Sequence, residues 1–319
     1  MPEVYYDRIS DEQIEEEAPF LLSWDFDLNP LKTSIYRIGQ VSPLVVKPHQ
    51  DGFKLICGYR RRQAMRELKC DEFAVLVLPE SFTLAQSLVL AFEENLGHRT
   101  FNDAEKVLAL RHLSAFFPVE ELVRYYLPRL ALPPKQEYLN RFLGLAALGD
   151  QGLTALARGT LDPETAELLL VMEPASRSAL LALVDQLNPS RNKRRQIITW
   201  LYEISIRENR SVDKVIKDQE IQDVIGNNDL SRSDKEKKVR AIIHAKRYPE
   251  LSRAQKKQEE LIARLKLPAN VRFQPPPSFE GLDFTFHISF QNLNELITSL
   301  ESLNQLSSSR EITDLLELG

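Results

Sequence analysis

Leu55-Ile56-Cys57-Gly58-Tyr59-Arg60-Arg61-Arg62-Gln63-Ala64 is the most informative stretch of the chain: an apolar run reaches a glycine, and three arginines follow at the predicted start of a helix. A glycine lets the backbone approach an anion closely, and helix-start N–H groups and guanidinium groups supply matching donors. The stretch therefore predicts a phosphate cradle. A strand, a turn and a solvated basic helix would give the same spacing, so neighbouring motifs must decide between the two interpretations.

A second motif, Glu93-Glu94-Asn95, follows residues 83–92, whose apolar side chains recur at helical spacing. A carboxylate beside an amide oxygen suits Mg²⁺, so Glu94 and Asn95 are candidate metal ligands. A cation there would neutralise phosphates held near Gly58. The same pair is common at helix ends and on surfaces, and that interpretation stays open.

The composition is that of a soluble globular chain with room for two or three small domains: 319 residues, 43% hydrophobic and 27% charged. No run reaches the length of a membrane span, and the acidic start at residues 7–17 differs from a secretory signal. We therefore expect a cytoplasmic protein with no membrane partner. Cys57 and Cys70 form neither a disulfide framework nor a zinc ligand set.

The net charge of −5 disfavours an indiscriminate nucleic-acid binder, because sequence-independent affinity comes mostly from Lys and Arg. The distribution of charge matters more than its sum. Residues 60–66, 191–195 and 235–257 are locally basic, so a modular protein with a basic face remains allowed.

Residues 35–95 alternate strand and helix signals. Residues 44–47 and 53–57 predict a hairpin, because Asp51-Gly52 between them is a strong turn pair. Residues 60–69 predict a helix, and residues 74–78 predict a strand that ends at Pro79. We therefore predict a compact mixed domain in which Gly58 lies at a strand end.

These features together resemble the N-terminal domain of ParB partition proteins. The family has a Ser-Ile helix, a glycine, a Pro-apolar strand, a Gly-Glu-Arg-Arg box and a Glu-Asn-x-x-Arg box. This chain has counterparts in the same order: Ser34-Ile35, Gly39, Pro43-Leu44-Val45-Val46, Gly58 to Ala64, and Glu94-Asn95. The resemblance implies a pocket for CTP and Mg²⁺, with nucleotide contacts from Gly39, Ser42, Gly58, Tyr59, Arg60 and Arg61, and metal contacts from Glu94 and Asn95.

Two positions depart from the family pattern. Tyr59 occupies the place of the family's glutamate, and His98 falls where the arginine is expected, with Arg99 one residue beyond. Without a carboxylate at residue 59, nucleotide binding is favoured over hydrolysis. Whether the chain is a CTPase stays open.

Residues 101–210 are predicted to be helical, with breaks at prolines and glycines that include Pro128 and Gly152. Residues 119–130 and 134–145 predict the two helices of a helix-turn-helix unit, the second with polar groups at its N-terminus. The spacing also resembles the ParB central domain, which grips a palindromic DNA site. Generic amphipathic helices would show the same spacing. The basic residues at 191–195 could equally be the solvated start of a helix. The candidate DNA contacts are Lys135, Gln136, Asn140, Arg141, Arg191, Lys193, Arg194 and Arg195.

Residues 211–265 predict a charged helical linker with light packing, for which a solvated lysine-rich face is favoured over DNA contact. After the Pro275-Pro276-Pro277 break, residues 282–290 predict one strand and residues 293–303 an amphipathic helix. The predicted strand has alternating aromatic side chains on one face, and one strand and one helix cannot bury such a face alone. We therefore predict pairing with a second copy, as in the ParB C-terminal dimerisation module that it resembles, with packing on the chain's own helices as the alternative.

The predicted fold class is α+β: a small mixed ParB/sulfiredoxin-like domain (1–100), an all-α helix-turn-helix domain (101–210), a charged linker (211–265) and a small αβ dimerisation module (266–319). The resemblance implies a homodimer that binds a specific site on double-stranded DNA and uses CTP and Mg²⁺ as a clamp switch in chromosome or plasmid partition or nucleoid organisation. It also implies a nucleoid-associated location and a ParA-like ATPase partner. Two alternatives stay open: a small-molecule or protein phosphotransferase on the same N-terminal fold, and a nucleotide-independent DNA-binding adaptor or transcriptional regulator.

Overall fold

The computed structural model describes residues 4–16, 20–274, 283–306 and 310–316. They divide into two compact units, Met1–Thr199 with Ser211–Ile216, and Trp200–Arg210 with Lys217–Gly319. The division into four domains predicted from the sequence stays a prediction. No helix in the described ranges combines the length and apolar character that crossing a bilayer requires.

The first unit begins with a four-stranded sheet in the order β1-β4-β2-β3. Its strands are β1 (Tyr5–Ile9), β2 (Leu44–His49), β3 (Gly52–Cys57) and β4 (Phe73–Val77). The hairpin prediction is confirmed, because β2 and β3 pair antiparallel around Asp51-Gly52. Strand β4 pairs parallel to β2 and antiparallel to β1. Buried residues alternate with half-buried ones over residues 44–46 of β2 and along all of β4, as expected for strands that place one face against the core.

Three helices accompany this sheet: α1 (Asn29–Ile38), α2 (Tyr59–Glu67) and α3 (Leu84–His98). Helix α3 differs from the prediction, because it runs six residues past Phe92. Thr83 caps its start by accepting a hydrogen bond from the Gln86 N–H at 3.1 Å, and no proline interrupts it before residue 98. Glu94 and Asn95 therefore lie inside the helix and not after its end.

The rest of the first unit is helical, and the α+β fold class is confirmed. Its helices are α4 (Asp103–Leu113), α5 (Val119–Glu121), α6 (Leu127–Arg129), α7 (Gln136–Leu145), α8 (Gly149–Ala157), α9 (Pro163–Leu170), α10 (Pro174–Leu187), α11 (Arg191–Arg207) and α12 (Val212–Ile216). A π-helical turn, Leu122–Tyr126, joins α5 to α6. Helix α11 continues into the second unit.

Two predicted breaks in this helical part are wrong. Pro128 lies within the helical run, since the wider π-helical turn ahead of it leaves room for the proline ring. Gly152 lies inside α8, where an added Cβ would meet the Leu148 Cβ at 2.3 Å. That glycine serves close packing and not chain reversal.

The second unit holds α13 (Gln219–Gly226), α14 (Arg232–Arg247), α15 (Pro249–Arg264), β5 (Val271–Gln274), β6 (Thr285–Ile288), α16 (Leu293–Leu306) and α17 (Arg310–Leu316). The prediction of light packing is wrong for α14, whose Val239 and Ile243 are fully buried. The Trp200 indole also contacts the His244 ring, with centroids 5.2 Å apart.

The C-terminal part contains two strands where the sequence predicted one. Strand β5 pairs antiparallel with β6, so part of the sheet is completed within the chain. Phe286, Phe290 and Leu293 nevertheless stay exposed. The proline run and Leu282 lie outside the described residues, and dimerisation stays a prediction.

Candidate functional site

A cavity of about 210 Å³ opens where the turn after β3 meets α3. Its lining combines arginines, a carboxylate, an amide and a few apolar side chains. The lining residues are Phe20, Leu22, Ser23, Leu31, Gly58, Tyr59, Arg60, Arg61, Glu94, Asn95, His98 and Arg99. The fold therefore brings the arginine box and the Glu-Asn pair, 33 or more residues apart in sequence, to one site.

Gly58 forms the turn at the base of this cavity. Its φ of +101° is rarely adopted by other residues, and an added Cβ would meet the Leu44 Cδ2 at 2.8 Å. As N-cap of α2, Gly58 offers no side chain to the first helical N–H groups. The turn therefore has the open backbone donors that an anion requires.

Arg61 lies beside this turn with an unsatisfied donor. Its Nη2 donates to the Glu94 Oε1 at 3.1 Å. Its Nε is buried, and within the described residues that nitrogen has no hydrogen-bond partner. Because a buried unpaired donor is costly, the arrangement fits an additional acceptor such as a phosphate oxygen.

Arg60 is more enclosed than a solvated helix residue would be, because its side chain is 32% exposed. Its Nε donates to the Ser23 Oγ at 3.1 Å, and its Nη2 donates to the Glu105 Oε1 at 2.7 Å. The guanidinium also lies over the Phe26 ring, 4.6 Å from the centroid. Burial and the nearby Arg99 charge lower the pKa of Arg60, and Glu105 opposes that shift.

Glu105, at the start of α4, is the residue that sequence reasoning missed. Its carboxylate is 1% exposed and accepts from both Arg60 and Arg99. It also accepts from the Asn102 N–H at 3.0 Å, as in a capping box. The Asn102-x-x-Glu105 spacing signals this cap in the sequence, but nothing local signals that the carboxylate is buried against two arginines.

The candidate metal ligands are both engaged with arginines. The Asn95 Oδ1 accepts from the Arg99 Nε at 3.1 Å, and its Nδ2 donates to the Ala91 carbonyl at 2.8 Å. The described residues contain no cluster of three or more His, Cys, Asp or Glu side chains suited to a metal. Glu94 fits as one carboxylate ligand for Mg²⁺, which commonly keeps water and phosphate as its other ligands. Asn95 could act as a metal ligand only if Arg99 released its Oδ1 atom.

Residues 18–96, which contain most of this cavity, match the family model for the ParB N-terminal domain. This segment is a ParB N-terminal domain. A chromosome-partitioning protein, Spo0J of Thermus thermophilus, is 29% identical over 150 residues, which cover 47% of this chain and 53% of that protein. The match therefore spans about half of each protein.

Solved ParB structures show weaker similarity. The C-terminally truncated ParB of Caulobacter crescentus complexed with CTP-gamma-S is 18% identical, with 57% of this chain and 99% of that chain covered and a TM-score of 0.26. The same protein complexed to the centromeric parS site is 17% identical, with 60% and 98% covered and a TM-score of 0.33. A Pnob8-like ParB-N domain is 15% identical, with 77% and 99% covered and a TM-score of 0.35.

Three other predicted nucleotide contacts in the ParB N-terminal domain lie apart from the arginines or face the core. Gly39 ends α1 and Ser42 follows it; both are exposed and neither lines the cavity. Tyr59 lines the cavity, but its hydroxyl donates to the Leu55 carbonyl at 3.0 Å and its ring packs on the sheet core.

The predicted DNA contacts near α7 divide into two groups. Lys135, Gln136 and Asn140 are exposed at the N-cap and along the helix. The Arg141 side chain is 13% exposed and forms an ion pair with Glu167, with the Nε and Oε2 atoms 2.9 Å apart. In this arrangement Arg141 joins α7 to α9, whereas the three exposed residues stay accessible to solvent.

The basic start of α11 is similarly divided. Arg191 and Arg195 are exposed and Lys193 is half-buried. Arg194 is buried, and its Nη2 donates to the Pro189 carbonyl at 3.0 Å. Bonds to the Gly159 and Pro189 carbonyls hold Arg194 against the protein, although its buried Nε, like that of Arg61, has no hydrogen-bond partner within the described residues.

Proposed function

We propose that this chain binds a specific site on double-stranded DNA and uses CTP with Mg²⁺ as a clamp switch in DNA partition or nucleoid organisation. It would act as a cytoplasmic, nucleoid-associated homodimer, with a ParA-like ATPase as a partner. The observation that carries the nucleotide part is the buried, unpaired Arg61 Nε beside the left-handed Gly58 turn. CTP is the nucleotide that the ParB N-terminal domain implies.

The charges of the site support a triphosphate accompanied by a divalent cation. Arg60, Arg61 and Arg99 face two carboxylates, Glu94 and Glu105, so the cluster carries about one surplus positive charge. A nucleoside triphosphate brings several negative charges, and Mg²⁺ would balance part of the difference. Glu94 would hold the metal, and Arg61 and the Gly58 turn would hold phosphate oxygens.

The arginine contacts also give a reason for switching. A phosphate that binds Arg60 or Arg99 competes with the buried Glu105 carboxylate, which belongs to α4. Nucleotide would therefore favour an arrangement in which α4 has released those arginines. A ligand shifts a conformational equilibrium only through such a difference in affinity between the two states.

The test is isothermal titration of the purified protein with CTP, ATP and GTP in Mg²⁺, with phosphate release followed in parallel. We expect selective CTP binding that Arg61→Ala abolishes. Arg111→Ala, on the exposed face of α4, is the matched control and should bind CTP as the unmodified protein does. Absence of binding to any nucleotide, or unchanged binding by Arg61→Ala, would overturn the proposal.

The DNA part of the proposal rests on the exposed N-terminus of α7. Gln136 and Asn140 present amide groups that can contact base edges, and Lys135 can contact phosphate. We expect Gln136→Ala with Asn140→Ala to reduce the preference for the cognate duplex over random duplex by tenfold or more. Selection of bound fragments from a genomic library supplies that duplex, and failure to enrich any sequence would overturn the DNA part.

A further inference from the structure

A short irregular segment, residues 22–26, contacts both the candidate nucleotide cavity and helix α8. We call this segment the strap. It reads Leu-Ser-Trp-Asp-Phe and belongs to none of the motifs that resemble the ParB boxes. Leu22 and Ser23 are buried, and Trp24 is half-buried. Because the strap lies outside every helix and strand that the structure describes, its side-chain contacts hold it in place.

One side of the strap holds two arginines of the cavity. The Ser23 Oγ accepts from the Arg60 Nε at 3.1 Å and from the Arg99 Nη2 at 3.2 Å. The Leu22 carbonyl also accepts from the Arg99 Nη2, at 2.6 Å. The Phe26 ring lies against the Arg60 guanidinium in a cation–π contact. The strap therefore occupies donors on the same two arginines that a phosphate group would use.

The other side of the strap is fastened to α8 and to the residue that follows it. The Trp24 Nε1 donates to the Thr154 Oγ1 at 3.2 Å. The Asp25 carboxylate accepts two hydrogen bonds from Arg158, at 2.6 Å from the Nε and 3.1 Å from the Nη2. Such a bidentate pair fixes orientation as well as distance. Asp25 has a left-handed φ of +49°, a conformation that persists in non-glycine residues when surrounding contacts hold it.

The two sides of the strap oppose each other when a phosphate arrives. A phosphate that binds Arg60 and Arg99 takes donors away from Ser23 and from the Leu22 carbonyl. Both of these strap residues are buried, and buried polar groups that lose their partners are costly. Movement of the strap would relieve that cost, but the contacts with α8, made by the next two residues, resist the movement. The free energy of those contacts therefore counts against nucleotide binding.

We propose that the strap is an autoinhibitory contact: fastened to α8 by Trp24 and Asp25, it keeps Arg60 and Arg99 on protein acceptors and weakens nucleotide binding. This inference rests on the proposed function, because it concerns the same cavity. It fixes the sign of an effect. Loss of a contact that merely supports the cavity weakens binding or leaves it unchanged, whereas release of the strap from α8 tightens binding. By reciprocity, bound nucleotide loosens the strap from α8.

The first arm of the test is isothermal titration of the full-length protein with CTP in Mg²⁺. Arg158→Gln removes the ion pair with the strap and should tighten CTP binding about threefold to fivefold, as expected for release of a partly exposed ion pair. Thr154→Val removes the acceptor of the Trp24 indole and should act in the same direction. Arg111→Gln makes the same substitution as Arg158→Gln at an exposed residue outside the strap contacts, and it should bind CTP as the unmodified protein does.

The second arm needs no nucleotide. The chain has two tryptophans, so Trp200→Phe leaves Trp24 as the one fluorescent indole. In that background, Arg158→Gln releases the α8 side of the strap, and Arg60→Gln releases the cavity side. We expect both changes to move the Trp24 emission to longer wavelength, because the indole becomes more solvated, and Arg111→Gln to leave it unchanged. Circular dichroism melting checks that each variant stays folded.

The two arms separate this inference from the proposed function. If the unmodified protein binds CTP, then unchanged or weaker binding by Arg158→Gln, or equal tightening by Arg111→Gln, would overturn the autoinhibitory strap and leave the proposed function standing. If the unmodified protein and Arg158→Gln both fail to bind CTP, the proposed function and the inhibitory role fail together. Binding by Arg158→Gln alone would support the strap. An unshifted Trp24 emission in Arg60→Gln would show that the cavity and α8 are not coupled, and it would overturn the strap whatever the titration gives.

Discussion

Removal of the Glu105 carboxylate should destabilise the first unit more than removal of any exposed acid. Glu105 is 1% exposed and accepts from two arginines as well as from the Trp24 N–H at 3.3 Å and the Asn102 N–H at 3.0 Å. In Glu105→Ala the two guanidinium groups lose their shared partner, and α4 loses its capping box.

The magnitude follows from the burial of the partners. Breaking a buried ion pair typically costs about 3–5 kcal/mol. The side chains of Arg60 and Arg99 are 32% and 19% exposed, so water can solvate both guanidinium groups after the mutation. The lower end of this energy range therefore applies. We expect Glu105→Ala to lower the free energy of unfolding by about 3 kcal/mol, or the Tm by about 6–12 °C for a unit of this size. Glu105→Gln keeps only one of the two acceptor oxygens, so it should recover no more than about half of this loss.

Urea denaturation and calorimetry measure both quantities. Glu120→Ala, at an exposed acid in α5, is the matched control and should stay within about 0.5 kcal/mol of the unmodified protein. If Glu105→Ala were no more destabilising than Glu120→Ala, the carboxylate would not hold the arginines, and the competition argued for the switch would fail with it.

Three further predictions concern the same unit. Gly58→Ala should lower the free energy of unfolding by about 1–3 kcal/mol and abolish CTP binding, because the left-handed backbone strains an alanine and the new Cβ meets a leucine methyl at 2.8 Å. The control Gly97→Ala, which has open space around it in α3, should instead raise the free energy of unfolding by about 0.5–1 kcal/mol. Thermal melts measure both changes in stability, and titration with CTP measures binding. Burial raises the pKa of Asp11, but hydrogen bonds from two arginines outweigh burial and leave that pKa below 3.8. The ionised Asp11 carboxylate therefore contributes to stability above about pH 4, and this contribution is lost as the pH falls through the pKa of the folded state. Asp11→Asn should therefore be destabilising at pH 7, with a difference from the unmodified protein that shrinks below pH 4 in urea titrations. Burial, with the Glu94 charge, raises the pKa of Cys57 to about 12, so mass spectrometry after iodoacetamide should find Cys70 alkylated well before Cys57.

The hairpin and the glycine turn were predictable because their signals are local: two runs rich in apolar residues, the Asp51-Gly52 turn pair between them, and a glycine directly after the second run. The roles of the three arginines were not. Successive helical residues point about 100° apart, so Arg60 and Arg61 face the cavity while Arg62 is buried on another side. There its Nε donates to the Asp11 Oδ1 at 2.7 Å. That partner lies 51 residues upstream in the acidic segment, and only the fold brings the two together.

The position of Tyr59 has a consequence for the chemistry that the proposed nucleotide site could perform. Its hydroxyl bonds to the Leu55 carbonyl, so the residue that replaces the family's glutamate contributes packing and no acid. Among the described residues that line the cavity, Glu94 is then the one carboxylate, and Arg61 already holds it. A general base must be free to accept a proton from the attacking water. Glu94 would be free to accept a proton only after a phosphate had drawn Arg61 away from it. In that arrangement Glu94 would also hold the metal. The same carboxylate cannot readily serve both roles, so we propose that the site would retain nucleotide rather than hydrolyse it.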